Sequence, residues 1–215
     1  MLLPALRPRL IAATGSPKPM KLYHSPASPY VRKVRVLASE LGIPLELETV
    51  AVHAIPSDYG KINPVNRIPA LRLDDGSMMF DSRVICEYLD ATKGNRLLPP
   101  SGPARWQVLK LQVLGDGILD AAVPKRGEVT RPAAQQSPSR LAEYDRSIQQ
   151  TLDALEGMTG DLAGMNLGTI AIGCALGYLD FRFAHEPWRE GRPKLAAWYA
   201  ELAKRPSMAG TIPQG

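Results

Sequence analysis

Cysteine is scarce in this chain: two residues, Cys86 and Cys174, both within apolar helical patterns rather than in a spaced set. That usage excludes a disulfide scaffold and reads as two small buried hydrophobes in a reducing, cytoplasmic setting. Histidine is nearly as rare, and His24, His53 and His185 show neither an HxxxH spacing nor a Cys/His cluster. No metal centre is expected from them. Apolar runs long enough to cross a bilayer are missing, so no membrane span is expected. There is no internal repeat and no low-complexity tract. Acids are absent from residues 1–19, where Arg7, Arg9 and Lys18 stand among four prolines. This stretch lacks the apolar core of a targeting peptide and reads as a disordered or extended arm.

What is present is an ordinary globular composition, 45% hydrophobic and 22% charged over 215 residues, enough for one large domain or two small ones. The net charge of +5 invites a nucleic-acid reading until the charges are located. The arm supplies three of the five; residues 20–98 carry 10 basic and 9 acidic side chains, and residues 99–215 carry 13 and 12. Two nearly balanced halves do not make the basic face that nucleic acid requires, and no nucleic-acid partner is expected.

The pattern changes near residue 100. Before it, strand and helix alternate. Lys21 to His24 reads as a short strand, and Ser25-Pro26-Ala27-Ser28-Pro29 delivers the chain into a helix with Ser28 as N-cap and Pro29 at its first position. Val31, Val34, Leu37 and Leu41 recur at helical spacing, and Gly42 and Pro44 end the helix. Leu45, Leu47 and Thr49 alternate with Glu46, Glu48 and Val50, which predicts a strand with one buried face. Asp74-Asp75-Gly76-Ser77 lies between two short apolar runs and predicts a hairpin. Ser82 is expected to cap the next helix. The order is βαβ, a linking helix, then ββα, with a Gly- and Pro-rich connection over 94–103. Beyond it four helices are expected, at roughly 104–123, 138–156, 166–184 and 194–203. The third is apolar on nearly every side, with Gly168, Gly173 and Gly177 permitting close approach, and belongs at the centre of a bundle.

Three motifs in this order, "SPASPYVRKV" after the first strand, "NPVNRIPAL" before the hairpin and "FDSRVICEYL" after it, closely resemble the soluble glutathione transferase family over about residues 20–205. The serine at position 28 resembles the theta-type and related bacterial branches. The resemblance implies a thioredoxin-like α/β domain over 20–98, an all-α helical-bundle domain over 104–215, glutathione as cosubstrate, a homodimer, and conjugation of glutathione to a small hydrophobic electrophile. The family also contains non-catalytic interaction and stress-response proteins, which is the competing expectation.

Residue by residue, the resemblance gives Ser28 the role of hydrogen-bond donor to the glutathione sulfur. Chemically, a helix start with free N–H groups favours an anion, although serine there is also a common plain cap. Ser25 is the rival hydroxyl. In the family the proline matching Pro69 follows a cis bond, and Ile68 would pair with the cysteinyl main chain; the alternative is a trans proline opening an edge strand. Asp81 and Ser82 would take the γ-glutamyl ammonium and carboxylate, or merely cap their helix. Glu is commoner than Asp at position 81 in the family. Arg67 would meet the glycyl carboxylate, and His53 lies in a loop where some relatives touch that same end. Asp116 and Asp120, one helical turn apart, stand either in a polar wall over the thiol or in a salt bridge. At 166–169 the family's capping box carries an acid at its third helical position; here Thr169 replaces it beside Asn166, which breaks the usual pattern of that device.

Overall fold

The computed structural model describes residues 20–51, 56 and 58–215; the arm at 1–19 and His53 lie outside the described residues. The chain opens with β1 (Met20–His24), α1 (Pro29–Glu40) and β2 (Leu45–Thr49), followed by a short 3-10 turn at Tyr59–Lys61. The hairpin β3 (Ala70–Arg72) and β4 (Met78–Met79) leads into α2 (Ser82–Thr92). The four strands form one mixed sheet in the order β2-β1-β3-β4, with β1 parallel to β2 and antiparallel to β3. Helices follow: α3 (Gly102–Val129), α4 (Pro138–Gly157), α5 (Leu167–Arg182), α6 (Pro193–Ala203) and α7 (Pro206–Ala209). This is a thioredoxin-like α/β domain followed by an all-α domain, as the resemblance implied. No helix among the described residues is long and apolar enough to cross a membrane.

One apolar core runs through both parts, from Leu22, Val34 and Leu37 through Ile85 and Leu89 to Leu119, Ile170 and Leu176. At its centre α5 is buried continuously from Leu167 to Leu179. Close approach is needed on two of its sides. A Cβ on Gly115 of α3 would lie 2.5 Å from the Ala171 carbonyl carbon, and one on Gly177 would lie 2.1 Å from Arg32 Nη1 of α1.

Four sequence expectations change. The strand β2 is an edge strand, so its alternation does not bury a face: Leu45 is half-buried, Leu47 is 42% exposed, and Thr49 is exposed. Glu46 and Glu48 instead pair with Lys21 of β1 at 3.0 and 2.7 Å, and such charge suits an unpaired sheet edge. The helix α3 runs through Pro124 rather than stopping before it. Pro124 is exposed and so is Asp120, whose carbonyl the proline leaves without its helical donor. The turn beyond is anchored by buried Lys125, which pairs with Asp145 of α4 and with Glu186. The reciprocal box at α5 survives the loss of the acid: Asn166 Oδ1 accepts from Thr169 N–H at 3.0 Å, and Thr169 Oγ1 accepts from Asn166 N–H at 2.9 Å. The fourth change concerns the start of α2.

Candidate functional site

Strand register brings three motif segments to one end of the sheet. Tyr23 stands opposite Ala70 and Leu71 opposite Met79. The C-terminal ends of β1 and β4 and the N-terminal end of β3 therefore lie side by side. Just beyond them come Ser25–Ser28, Ile68–Pro69 and Phe80–Ser82.

The first segment ends in a tight turn. Ser28 N–H donates to the Ser25 carbonyl at 3.1 Å, and Ser28 Oγ accepts from Val31 N–H at 3.3 Å, making it the N-cap of α1. The cap uses a lone pair and leaves the hydroxyl hydrogen free to point at a ligand. Ser28 is half-buried, whereas its rival Ser25 is 7% exposed beneath the turn. The other nearby hydroxyl, Tyr30, donates to Asp120 Oδ1 at 2.6 Å. Burial, then that carboxylate, push its phenol far above the usual range, so Tyr30 stays neutral and engaged.

The second segment carries a cis Ile68–Pro69 peptide bond, as the resemblance implied. Two buried residues that sequence reasoning passed over hold it: Tyr59 OH and Asn63 Nδ2 both donate to the Arg67 carbonyl, at 3.2 and 2.7 Å. Asn63 stands within the second motif, but its role depends on a loop closing back on itself. The Ile68 N–H and carbonyl have no partner among the described residues. The Arg67 side chain is exposed, and no carboxylate among the described residues pairs with it.

In the third segment Asp81, not Ser82, is the cap: Asp81 Oδ1 accepts from Arg83 N–H at 2.9 Å, and Ser82 is the first helical residue, 2% exposed. Either side chain could serve as a cap. The backbone turns helical one residue earlier than expected, so the exposed carboxylate takes the cap and the serine goes inward. Asp81 keeps its second oxygen for a cation.

Asp116 and Asp120 take the salt-bridge role, inside the chain. Lys33 of α1 reaches Asp116 at 2.6 Å with both side chains essentially enclosed, and Arg83 of α2 bridges Asp116 at 2.9 Å and Asp120 at 3.3 Å. The helix that begins at Ser28 is thus tied to α3. The remaining reactive groups are quiet. Burial pushes the Cys86 and Cys174 thiols up to about 12 and about 11, so both stay protonated. His24 is buried, bonds Thr49 at 3.3 Å, and is held below its ordinary value by burial and then by Arg35. Among the described residues no group of three or more His, Cys, Asp or Glu could hold a metal.

Two family profiles match the chain: "Glutathione S-transferase, N-terminal domain" over residues 22–97 and "Glutathione S-transferase, C-terminal domain" over 138–201. The chain belongs to the glutathione S-transferase family. It is 37% identical to the uncharacterized GST-like protein YibF of Escherichia coli, across 90% of this chain and 98% of that protein. A glutathione transferase family member from Pseudomonas fluorescens, solved with bound glutathione, is 43% identical, with a TM-score of 0.86 over 91% of this chain and all of that one. A glutathione S-transferase from Methylobacillus flagellatus, also with glutathione bound, is 36% identical with a TM-score of 0.85, again over 91% of this chain and all of that one.

Proposed function

We propose that this chain is a serine-type glutathione transferase, related to the theta-like and bacterial branches, that binds glutathione at the sheet end described above and directs its thiolate at a small electrophile. The observation that carries the reading is the Ser28 hydroxyl, whose oxygen caps α1 while its hydrogen stays free, at the positive end of that helix. Around it, Ile68 offers an N–H and carbonyl, unpaired among the described residues, for the cysteinyl main chain. Asp81 offers a carboxylate oxygen for the γ-glutamyl ammonium, Ser82 and the start of α2 face the γ-glutamyl carboxylate, and Arg67 is positioned for the glycyl carboxylate. Ser82 is nearly enclosed, which makes Asp81 the more accessible of that pair.

The energy needed is modest. A free thiol has a pKa near ~8.5, and lowering it by about two units takes roughly 2.7 kcal/mol of preferential thiolate stabilisation. One charge-assisted hydrogen bond at ~1.5–3 kcal/mol, with a helix-end contribution of ~0.3–1 kcal/mol, covers that. The rest of catalysis is positioning of the two reactants. Isothermal titration of the purified protein with glutathione, followed by conjugation of 1-chloro-2,4-dinitrobenzene, tests the reading. Saturable binding and turnover are expected. A folded protein that binds no glutathione would instead be an interaction protein built on this fold.

The same reading includes a homodimer. A cleft of about 550 Å³ between α2 and α3 has an apolar wall of Met79, Val84, Tyr88, Leu109 and Val113 beside the polar Arg83, Glu87, Gln112 and Asp116, and Val84, Val113 and Trp106 are 50%, 65% and 67% exposed. An apolar patch of this kind calls for a covering surface, and a second copy supplies one. Sedimentation equilibrium should give twice the chain mass for the native protein, and Val113→Glu should shift it toward monomer at micromolar concentration. A native protein sedimenting as a monomer would overturn the dimer.

A further inference from the structure

Two adjacent cations of α1 are enclosed in the fold and are answered differently. Lys33 has the Asp116 carboxylate. Arg32 is 4% exposed, and no carboxylate among the described residues pairs with it. Its Nη2 donates to the Met208 carbonyl at 3.1 Å, its Nε meets Thr211 Oγ1 at 3.5 Å, and its Nη1 is enclosed without a partner among the described residues. That last nitrogen lies between α5 and α6, where a Cβ on Gly177 would stand 2.1 Å from it and 2.7 Å from Tyr199 OH. Only neutral oxygens answer a full positive charge. Burying a guanidinium on those terms is costly, and an anion close by relieves the cost.

No side chain among the described residues supplies that anion. On α1 itself Arg35 is a second cation, and Lys33 is held by Asp116 of α3. On α5, burial pushes the Cys174 thiol up to about 11, so it stays protonated, and Asp180 is taken by Arg189 and Trp188. On α6, burial raises the Tyr199 phenol, which stays neutral. Beside α7, Glu40 is taken by Arg205 and Ser207.

The place of the charge in the fold points to where an anion would come from. Arg32 N–H donates to the Ser28 carbonyl at 3.0 Å, so the two residues stand one turn apart on the same side of α1. Helical side chains lean toward the N-terminal end, here the end that carries Ser28. The segment 206–214 runs back along α1 in that direction: Ser207 bonds Glu40, Met208 and Thr211 bond Arg32, and Gln214 N–H donates to the Pro26 carbonyl at 3.3 Å. One helical turn is about 5.4 Å, and a hydrogen bond holds a ligand atom about 3 Å beyond Ser28, so the charge lies on the order of 10 Å from a sulfur bound there. At an effective dielectric constant of about 20, a unit charge at that separation lowers a thiol by about one unit. With the Ser28 hydrogen bond and the helix end at the low end of their ranges, a two-unit shift lacks most of a unit.

Resting on the glutathione transferase reading, we propose that Arg32, enclosed one turn behind Ser28 with no carboxylate partner among the described residues, is the counter-charge that keeps the bound glutathione sulfur ionised. It touches neither reactant and acts on the sulfur through the field inside the protein. The S–H bond breaks, the proton passes to solvent, and the electron pair stays on sulfur, with the Ser28 hydroxyl facing it and the Arg32 charge behind.

Arg32→Met removes the charge and keeps most of the length. The inflection of the kcat/KM profile should rise by about one unit, from about 6.5 toward about 7.5, a loss of about threefold at pH 7 and about eightfold at pH 6 that vanishes above about pH 9. Ultraviolet absorbance of the bound thiolate should show the same displacement without turnover. Arg32→Lys should keep most of the native profile. Affinity for S-methylglutathione, which has no thiol proton to lose, should stay within about twofold of native in both variants. If Arg32 serves only to fasten the 206–214 segment, Arg32→Met weakens S-methylglutathione and leaves the thiolate inflection in place, which overturns the proposal. The native protein supplies a second test that needs no variant to fold. An enclosed charge is little screened, so the thiolate inflection should move by less than about 0.3 unit between about 0.05 and 0.5 M salt. A rise of about one unit over that range would assign the shift to exposed cations such as Arg67 and overturn the role of Arg32. A native protein that binds glutathione with its thiol still near ~8.5 refutes Arg32 and Ser28 together. A folded native protein that binds no glutathione refutes the underlying reading itself.

Discussion

Ser28→Ala should lower kcat/KM for conjugation of 1-chloro-2,4-dinitrobenzene by about 10- to 30-fold near pH 7, the loss expected when one charge-assisted hydrogen bond to a thiolate is removed. If Ser28 and the helix start bring the bound thiol from ~8.5 to about 6.5, roughly three-quarters of it is ionised at pH 7, against about 3% without them. The sign follows from the direction of the shift. A lowered thiol pKa helps only below the unperturbed value, so the two enzymes should converge above about pH 9. A kcat/KM profile that rises with an inflection near 6.5 in the native enzyme should move toward ~8.5 in the variant. The alanine also removes a helix cap at about 1 kcal/mol, lowering Tm by about 2–4 °C in a chain of this size. That loss is the whole effect if Ser28 is only a cap. A variant with the lower Tm and an unmoved pH profile would end its assignment as the donor to sulfur. Ser28→Thr keeps both the hydroxyl and the cap and should stay within a few-fold of the native rate.

What could be read in the chain was what local chemistry decides. Ser28 followed by Pro29 is a helix start whatever surrounds it, and the turn at 74–77 reverses the chain whichever strands it joins. Where expectation and structure part, a distant partner decides. Pro124 should end a helix on propensity, yet Lys125 beside it is held by Asp145 and Glu186, far along the chain. The alternation in β2 is sound, but whether a strand buries a face depends on its place in the sheet, and β2 lies at the edge. The choice between Asp81 and Ser82 turns on a one-residue difference in where the backbone becomes helical, which two adjacent cap-forming residues cannot signal. At Asn166 the misreading was chemical: a threonine hydroxyl accepts from the cap N–H as a carboxylate would. The site's own residues were legible as a set because three motifs share an order. Their supports were not, since Tyr59 and Asn63 act through the Arg67 carbonyl, and Lys33 finds Asp116 only after both domains have folded together.

That last pair sets the second large effect. Asp116→Asn should lower Tm by about 6–20 °C, because breaking a buried pair from one side costs about 3–5 kcal/mol and each kcal/mol moves Tm by about 2–4 °C at this chain length. The asparagine fits the space but leaves the Lys33 ammonium, with no solvent exposure, without a counter-charge. The reverse change is gentler. In Lys33→Met the Asp116 carboxylate keeps Arg83 at 2.9 Å, and Arg83 is half-exposed, so the remaining charge is partly solvated. Lys33→Met should therefore cost less than Asp116→Asn, and combining Lys33→Met with Asp116→Leu should recover much of the loss, since an apolar pair of similar volume carries no desolvation penalty. Arg83→Gln, at the half-exposed end of the network, should cost less than Asp116→Asn. Urea unfolding of the four variants gives the comparison directly. An Asp116→Asn protein within about 2 °C of the native Tm would mean that the two helices are held by apolar packing alone. Because Lys33 lies on the helix that begins at Ser28, the single Asp116 variant should also lose affinity for glutathione, while the apolar double variant, with α1 seated again, should regain it.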